Sequence, residues 1–372
     1  MHDRLKIEEV TELLGIEVAR LRFLEMYCQD FLAPSRFEIP RKYTHGEIKI
    51  LSVAHRLLRE GVAPTALRSR LAQILSEPSQ WDAVLKDRLE SGSPAARMIA
   101  VTSGKGGVGK SNIALNLAIE LVRSGLRIAL IDGDLGVANL HLLAGLKIDR
   151  TLRHVVSGQC GIEEIIVNVP QGPDIIPGSS GIFELANLPG HSRQRLLAEM
   201  RTLDLRYDLI FIDTGAGVSS TVLDFVTGAD FALVVTTPET TAITDAYALI
   251  KLCLERSPAC RLGLVANRVR SAHDGRLTLG RISSCTRRFL GHAVLEMGSI
   301  YEDSHVRPAV NEGVPFSLKF PESKASSSVR KLAYTLRDMG IASPRLQREG
   351  AGFSLFVERC ALRTGRAARV GE

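Results

Sequence analysis

Apolar and polar residues alternate along the chain in two different ways, and the change occurs near residue 97. In residues 1–76, apolar side chains recur at spacings of three and four, as in IEEVTELLG and EVARLRFLEMYC, which predicts short amphipathic helices. Beyond residue 97, short runs that are apolar almost throughout alternate with amphipathic stretches. Fully apolar runs are typical of parallel strands that are covered on both faces. The pattern predicts an α/β fold with a doubly wound, mostly parallel sheet, preceded by a small helical domain.

Seven segments are predicted to form the strands of this sheet: MIAVTS, RIALID, DIIPG, YDLIFIDTG, FALVVTTP, RLGLVANRV and AVLEMGSI. A polar stretch with Pro and Ser at both ends precedes them and is predicted to be a linker. The chain therefore divides into four predicted parts: a helical domain over 1–76, a linker over 77–96, an α/β domain over 97–342 and a basic tail over 343–372.

Composition says more about the cellular compartment of the protein than about the reaction that it catalyses. The chain has 372 residues and a net charge of +6, a mild preference for anionic partners. Its six cysteines form no C-x-x-C pair, which favours a reducing compartment and argues against structural zinc. The first residues lack the apolar core of a signal peptide, and no run of about 18 apolar residues occurs. We expect a cytoplasmic protein.

A glycine-rich loop follows the first predicted strand of the α/β domain. Gly104-x-x-x-x-Gly109-Lys110-Ser111 is a Walker A pattern between a strand and a helix, the context that this motif requires. A purely structural glycine-rich turn is the alternative, but strand, loop and helix all agree with ATP binding. Backbone N–H groups would cradle phosphates, Lys110 would contact the β- and γ-phosphates, and the Ser111 hydroxyl would bind Mg²⁺. The predicted phosphate-binding residues are Gly104, Gly106, Gly107, Val108, Gly109, Lys110, Ser111 and Asn112.

Three aspartates follow predicted strands. Asp213 ends the apolar strand of YDLIFIDTG, a Walker B pattern, and would hold Mg²⁺ together with Ser111. Asp132 ends RIALID and Asp134 comes two residues later, and both are predicted to lie beside the phosphates. The alternative for these two aspartates is that they only cap the next turn.

The string KGGVGKS resembles the deviant Walker A motif of the MinD/ParA family of P-loop ATPases. Taken alone, Lys105 in this string would be a solvated loop lysine. The resemblance implies instead that Lys105 reaches the nucleotide of a partner subunit. Extra positive charge is what phosphoryl transfer needs, so hydrolysis would depend on an ATP-dependent homodimer.

The same resemblance implies roles for further residues. Asp134 would position the attacking water, and Asp132 would support the switch region around it. Asn267, in LVANRV, would hydrogen-bond the adenine, and Arg268 would lie near the ribose. Backbone atoms of residues 298–316 would close over the base.

Further strings narrow the resemblance to one branch of that family. DGDLG, VANL, DTGAG and VVTTPETTAITDAYALIK resemble FlhG, also called FleN or YlxH, a family that sets bacterial flagellar number and placement. This implies a cytoplasmic, Mg²⁺-dependent ATPase that regulates flagella. The D-Q-A-x-x-L-R motif found near the start of many FlhG proteins is absent before Ser103, which leaves activation of the GTPase FlhF in doubt. An ATP-gated transcription regulator and a ParA-like segregation ATPase on the nucleoid are the alternatives.

The first 76 residues resemble a MerR-type winged helix-turn-helix through LLGI, LRFLE, FLAPSR, RKYT and LREGVAPTALRSRL. The resemblance implies contacts with duplex DNA, from a recognition helix and from a wing that grips phosphates. A protein-docking module is the alternative, because residues 1–75 carry 12 Lys and Arg against 10 Asp and Glu. The predicted DNA contacts are Arg20 and Arg22 on the helix, and Arg36, Arg41, Lys42 and Tyr43 on the wing.

The tail contains GFSLFVERCALRTGRAAR, in which Phe353, Phe356, Val357 and Cys360 share one helical face flanked by arginines. Two interpretations remain open. The tail is an amphipathic helix that attaches the protein to the inner face of the cell membrane, as in MinD and FlhG relatives, or it is a helix packed on the ATPase core.

Overall fold

The computed structural model describes residues 96–134, 139–178 and 206–342, together with Leu203, Asp204, Gly352, Phe356 and isolated positions among residues 5–57. The chain forms two compact units. One comprises Met1–Ser93 with Gly125–Arg127, and the other comprises Pro94–Ser124 with Ile128–Glu372.

In the first unit, strand β1 (Leu5–Lys6) pairs antiparallel with β2 (Lys42–Tyr43). Elsewhere in the first unit, buried side chains recur at helical spacing, for example at Leu21, Leu24 and Cys28. The Tyr43 side chain is fully buried, so the prediction that it grips DNA phosphates is wrong. A ring that is fully removed from solvent cannot contact a phosphate group of DNA. The side chains of the other predicted DNA contacts lie outside the described residues: Arg20, Arg22, Arg36, Arg41 and Lys42.

The second unit is built on an eight-stranded sheet with the order β10-β9-β8-β3-β7-β4-β6-β5. Every neighbouring pair is parallel except β5 with β6, which is antiparallel at one edge. The strands are β3 (Arg97–Ser103), β4 (Ile128–Gly133), β5 (Val167–Asn168), β6 (Asp174–Ile176), β7 (Leu209–Ala216), β8 (Phe231–Thr236), β9 (Leu262–Val269) and β10 (Leu295–Tyr301).

Nine described α-helices and one described 3-10 turn (Ile162–Ile165) flank the sheet. The helices are α1 (Lys110–Arg123), α2 (Leu140–Leu143), α3 (Leu152–Val156), α4 (Ser220–Gly228), α5 (Thr240–Arg256), α6 (Ala272–Leu290), α7 (Val306–Asn311), α8 (Phe316–Lys319) and α9 (Lys324–Asp338).

The doubly wound, mostly parallel α/β fold predicted from the apolar pattern is confirmed. All six residues of β4 and all six of β8 are buried, as expected for strands with helices on both faces. The seven predicted strand segments correspond to β3, β4 and the five strands from β6 to β10. The two-residue edge strand β5 was not predicted, because two residues carry no periodic signal.

The order of the strands creates a switch point at β3. The chain passes from β3 to β4 on one side and returns to β7, next to β3. It then runs outward through β8, β9 and β10 on the other side. The register aligns Asp132 of β4 with Asp213 of β7. In open α/β sheets, ligands bind at the carboxyl ends of the strands at such a point.

One residue of the tail belongs to the core of this unit. The Phe356 side chain is 1% exposed and stacks on Phe225 of α4, with ring centroids 5.7 Å apart. The Phe356 amide donates to the Gly352 carbonyl at 3.0 Å, a helical contact. The burial of Phe356 agrees with the interpretation that the tail packs on the core of the α/β domain. The other residues of the predicted apolar face lie outside the described part of the chain: Phe353, Val357 and Cys360.

Within the residues that the structure describes, no helix combines the length and the apolar character needed to cross a bilayer.

Replacing Phe356 by Ala tests whether the tail contributes to the core. Removal of a buried ring leaves a cavity, so we expect the free energy of unfolding to fall by about 3 kcal/mol. Phe289→Ala is the matched control, since Phe289 is 65% exposed on α6, and should change stability by less than about 0.5 kcal/mol. Denaturant unfolding measures both. Equal effects of the two substitutions would show that Phe356 does not stabilise the core.

Candidate nucleotide-binding site

The loop over residues 104–109 joins β3 to the buried helix α1. Gly109 caps this helix with φ of +92°, a left-handed conformation that favours glycine. A methyl group on Gly109 would also lie 2.4 Å from the Asn267 side-chain nitrogen. The loop therefore ends in a helix N-terminus whose free N–H groups and positive potential suit a phosphate.

Lys110 is the first residue of α1, and its side chain points to the end of β7. Its Nζ lies 2.5 Å from Asp213 Oδ1 and 3.3 Å from Ser111 Oγ. Lys110 is 7% exposed and Asp213 is 1% exposed. Burial raises the pKa of Asp213, while the Lys110 charge opposes that rise. Asp213 is thus a buried carboxylate that requires a neighbouring cation, and Lys110 supplies one here.

Two further carboxylates converge on the same strand ends. Asp132 accepts hydrogen bonds from the backbone N–H groups of Asp134 (3.2 Å) and Leu140 (3.1 Å), so it ties the residue after β4 to the first residue of α2. Burial, aided by the charge of Asp213, raises the pKa of Asp132 to about 6. Asp134 lies close to the carboxyl end of β7, because a methyl group on Gly215 of that strand would be 3.7 Å from Asp134 Oδ1.

Lys105 does not extend freely into solvent. Its Nζ lies 2.8 Å from Glu239 Oε2 and 2.8 Å from Thr241 Oγ1, at the start of α5. The hydrogen bond and the charge of Lys105 lower the pKa of Glu239. The two charged side chains are 37% and 61% exposed. Exposed pairs of this kind contribute little to stability, so Lys105 can leave Glu239 at little cost.

A cleft of about 400 Å³ opens beside the glycine-rich loop. Asn267 Nδ2 donates to the Val108 carbonyl at 2.7 Å, and Arg268 stands exposed at the rim with φ of +55°. The cleft is lined by residues from α1, from the ends of β9 and β10, and from α7 to α9: Gly109, Asn112, Ile113, Asn267, Arg268, Ile300, Tyr301, Glu302, Asp303, Val306, Arg307, Val310, Phe316 and Ala325. Its position next to the loop suits a nucleotide base.

Two groups of hydrogen bonds hold the segment that lines this cleft. Asn116 Oδ1 of α1 accepts the Ser317 N–H at 2.8 Å. Asp303 accepts the N–H groups of Ala325 and His305, each at 2.9 Å, and the His305 ring at 2.8 Å. Burial would raise the pKa of Asp303, but these hydrogen bonds outweigh it and lower the pKa to about 2.

Sequence reasoning missed three residues that position the site: Asn116, Glu239 and Asp303. Only Asn116 carried a local signal, because it is a polar residue within the apolar helix sequence NIALNLAIEL. The contacts of the other two depend on residues from different elements.

Known proteins share this arrangement. The model of an AAA domain matches residues 96–256. The antiactivator FleN of Pseudomonas aeruginosa is 37% identical over 264 residues, which cover 71% of this chain and 92% of FleN. The chain belongs to the FleN/YlxH (FlhG) family of MinD/ParA-type ATPases. The flagellum site-determining protein YlxH of Helicobacter pylori is 34% identical, over 64% of this chain and 80% of YlxH.

Solved structures of MinD share the MinD/ParA fold of this chain. The MinC:MinD cell division protein complex of Aquifex aeolicus aligns with a TM-score of 0.53 and 28% identity, over 69% of this chain and all of the matched chain. MinD of Pyrococcus horikoshii, solved with Mg-ADP, aligns with a TM-score of 0.53 and 26% identity, over 67% of this chain and all of that chain.

In this FlhG-type chain, most of the predicted site residues lie close together at the ends of the strands and along the cleft. Lys110, Ser111 and the three aspartates meet at the strand ends, and Asn267 and Arg268 line the cleft. Lys105 stands apart from them, bound to Glu239. The resemblance of residues 1–76 to MerR proteins stays a prediction.

The Asp303 contacts predict a pH-dependent contribution to stability. Because its pKa in the folded protein lies below the ordinary value, ionised Asp303 stabilises the fold at neutral pH, and this contribution is lost as the pH falls from about 4 to about 2. We expect Asp303→Asn to lower the free energy of unfolding by about 1 kcal/mol at pH 7, and the gap from wild type to narrow below pH 4.

Denaturant unfolding at pH 7, 4 and 3 measures this gap, with Asp149→Asn as the control at an exposed aspartate. A gap that stays constant across the three pH values would contradict the role given to the Asp303 charge.

Proposed function

We propose that this chain is a Mg²⁺-dependent ATPase that dimerises around ATP and regulates the placement or number of flagella. The observation that carries the proposal is the convergence of Lys110, Ser111 and three carboxylates at the switch point of the sheet, next to a base-sized cleft. A phosphate-binding loop, oxygen ligands for a cation and a base cleft are the parts that nucleotide hydrolysis requires.

The residues present fit a magnesium ion. Ser111 offers a hydroxyl oxygen and Asp213 a carboxylate oxygen, and Mg²⁺ prefers such ligands together with phosphates and water. The ion would neutralise charge that develops on the phosphates. Lys110, which now satisfies Asp213, is then free to contact the β- and γ-phosphates. The Mg-ADP complex of Pyrococcus horikoshii MinD supports this assignment.

Asp134 is proposed to orient the attacking water. It follows β4, close to Asp213 and to Gly215 at the carboxyl end of β7, where the terminal phosphate would lie. An orienting carboxylate need not be a strong base in phosphoryl transfer. Asp132 holds the Asp134 backbone in place through its hydrogen bond.

Lys105 is proposed to act on the nucleotide of a partner subunit. In the single chain it is held by Glu239, in an exposed pair that separates at little cost. In a two-fold dimer each subunit would donate one Lys105 to the other, since such interfaces are reciprocal. Hydrolysis would then require the dimer.

The flagellar role rests on the named relatives, the antiactivator FleN and the flagellum site-determining protein YlxH. DNA binding by residues 1–76 and membrane contact by the tail stay predictions. The burial of Phe356 is evidence against a tail that is wholly free of the core. A transcription regulator and a nucleoid segregation ATPase remain the alternatives.

Two lysine substitutions separate binding from dimerisation. Lys110→Ala should abolish ATP binding, because Lys110 acts on the phosphates of its own subunit. Lys105→Ala should bind ATP with an affinity within about threefold of wild type, yet fail to form the active dimer and lose about 10³-fold in turnover, the scale of a missing cationic group. Nucleotide titration, sizing chromatography with ATP and phosphate release measure these properties.

Lys331→Ala, at an exposed lysine of α9, is the control and should behave as wild type. Normal ATP-induced dimerisation and turnover in Lys105→Ala would refute the proposed role of Lys105.

A further inference from the structure

Two glycine turns touch between the end of α2 and the end of α7. Gly145 follows α2, and Gly313 follows α7. A methyl group on Gly145 would lie 2.7 Å from the Gly313 carbonyl oxygen. A methyl group on Gly313 would lie 3.0 Å from the Leu142 carbonyl oxygen and 3.2 Å from the Gly145 Cα. The two backbones are therefore in direct contact, with no side chain between them.

On one side, this contact is tied to the base cleft. Val306 and Val310 of α7 line the cleft. The Gly313 N–H donates to the Val310 carbonyl at 3.1 Å, and the Val314 N–H donates to the Ala309 carbonyl at 3.0 Å. Gly313 is thus bonded to the last turn of α7, so a base that displaces α7 also displaces Gly313.

On the other side, the contact is tied to the catalytic aspartates. The Gly145 N–H donates to the Leu142 carbonyl at 3.2 Å, within the single turn of α2. The first residue of that turn, Leu140, donates its N–H to Asp132 Oδ2 at 3.1 Å. Asp132 in turn accepts the Asp134 N–H. A displacement of α2 therefore changes the hydrogen bonds that hold Asp132 and Asp134.

Glycine suits both positions for two reasons. Each has φ of +65°, and each lacks a side chain that could bend and absorb a displacement. Close-packed backbone atoms transmit displacement because they have no room to adjust.

We propose that Gly145 and Gly313 are positioning residues that couple occupation of the base cleft to the placement of Asp134. Filling of the cleft by adenine presses Gly313 against the α2 turn and orders the water-orienting carboxylate. ATP is then hydrolysed faster than a ligand that fills only the phosphate loop. This inference rests on the proposed ATPase function and adds to it a means by which the base controls the chemical step.

The test uses Gly313→Ala in the full chain. Its matched control is Gly291→Ala, because Gly291 also has φ of +65° but has no atom within 4 Å of an added methyl group. Both variants carry the same backbone strain, and only Gly313→Ala disturbs the contact. We expect kcat for ATP to fall about tenfold or more in Gly313→Ala, with affinity for a non-hydrolysable ATP analogue changed less than about threefold. Gly291→Ala should keep both values.

A second readout does not depend on turnover. Hydrogen exchange of residues 139–146 is compared with saturating ADP and with saturating pyrophosphate, which lacks a base. Wild type and Gly291→Ala should exchange about tenfold more slowly with ADP than with pyrophosphate, and Gly313→Ala should lose this difference. Gly145→Ala should match Gly313→Ala, and the double variant should be no worse than either single variant.

The possible results distinguish a failure of the proposed coupling from a failure of the proposed ATPase function. Equal kcat in Gly313→Ala and Gly291→Ala, a loss confined to nucleotide affinity, or no difference between ADP and pyrophosphate in wild type would each overturn the coupling. Absence of turnover in wild type would instead refute the proposed ATPase function, and the exchange measurement would still decide the coupling.

Discussion

The buried ion pair between Lys110 and Asp213 is the interaction on which the rest of the site depends. Asp213 lies at the end of a central strand, where helices cover both faces of the sheet, and its carboxylate is 1% exposed. An uncompensated charge at such a position is strongly unfavourable. The fold therefore has to bring a cation to this point, and the glycine-rich loop does so by presenting Lys110 from the first turn of α1. The same demand makes the site receptive to a metal ion beside a phosphate.

Asp132 is a second buried carboxylate beside this ion pair. Parallel register places Asp132 beside Asp213, so the two negative groups are close before any ligand arrives. The backbone N–H groups of Asp134 and Leu140 satisfy Asp132, and in doing so they tie the residue after β4 to the first residue of α2. The hydrogen-bonding needs of one buried carboxylate thus connect the sheet to this helix.

The sequence was sufficient to predict the sheet and the phosphate loop, because both depend on local patterns. The strand sequences RIALID and YDLIFIDTG each contain four consecutive apolar residues followed by an aspartate, which places Asp132 and Asp213 after buried runs. The edge strand β5 was missed because it is too short to show a period. Tyr43 was predicted to contact DNA because RKYT resembles the wing of MerR proteins, yet its side chain is fully buried.

Contacts between distant residues could not be predicted in the same way. Lys105 and Glu239 are separated by 134 positions, and nothing in KGGVGKS indicates a partner on α5. The contact of Gly145 with Gly313 likewise depends on how two turns meet in space. The burial of Phe356 against Phe225 shows the same limit, since the tail sequence alone fitted both a membrane helix and a packed helix.

The central claim is that Lys105 completes the active site of the partner subunit. Mixing two inactive variants, Lys105→Ala and Asp134→Ala, tests it most directly. In a mixed dimer, the Lys105→Ala subunit keeps its own Asp134 and would receive Lys105 from its partner, so one of its two sites is complete. If Lys105 acts in trans, an equal mixture should recover a measurable fraction of wild-type ATP turnover, because each mixed dimer contains one complete site of two. If the mixture stays as inactive as its components, Lys105 acts within its own subunit and the account is contradicted.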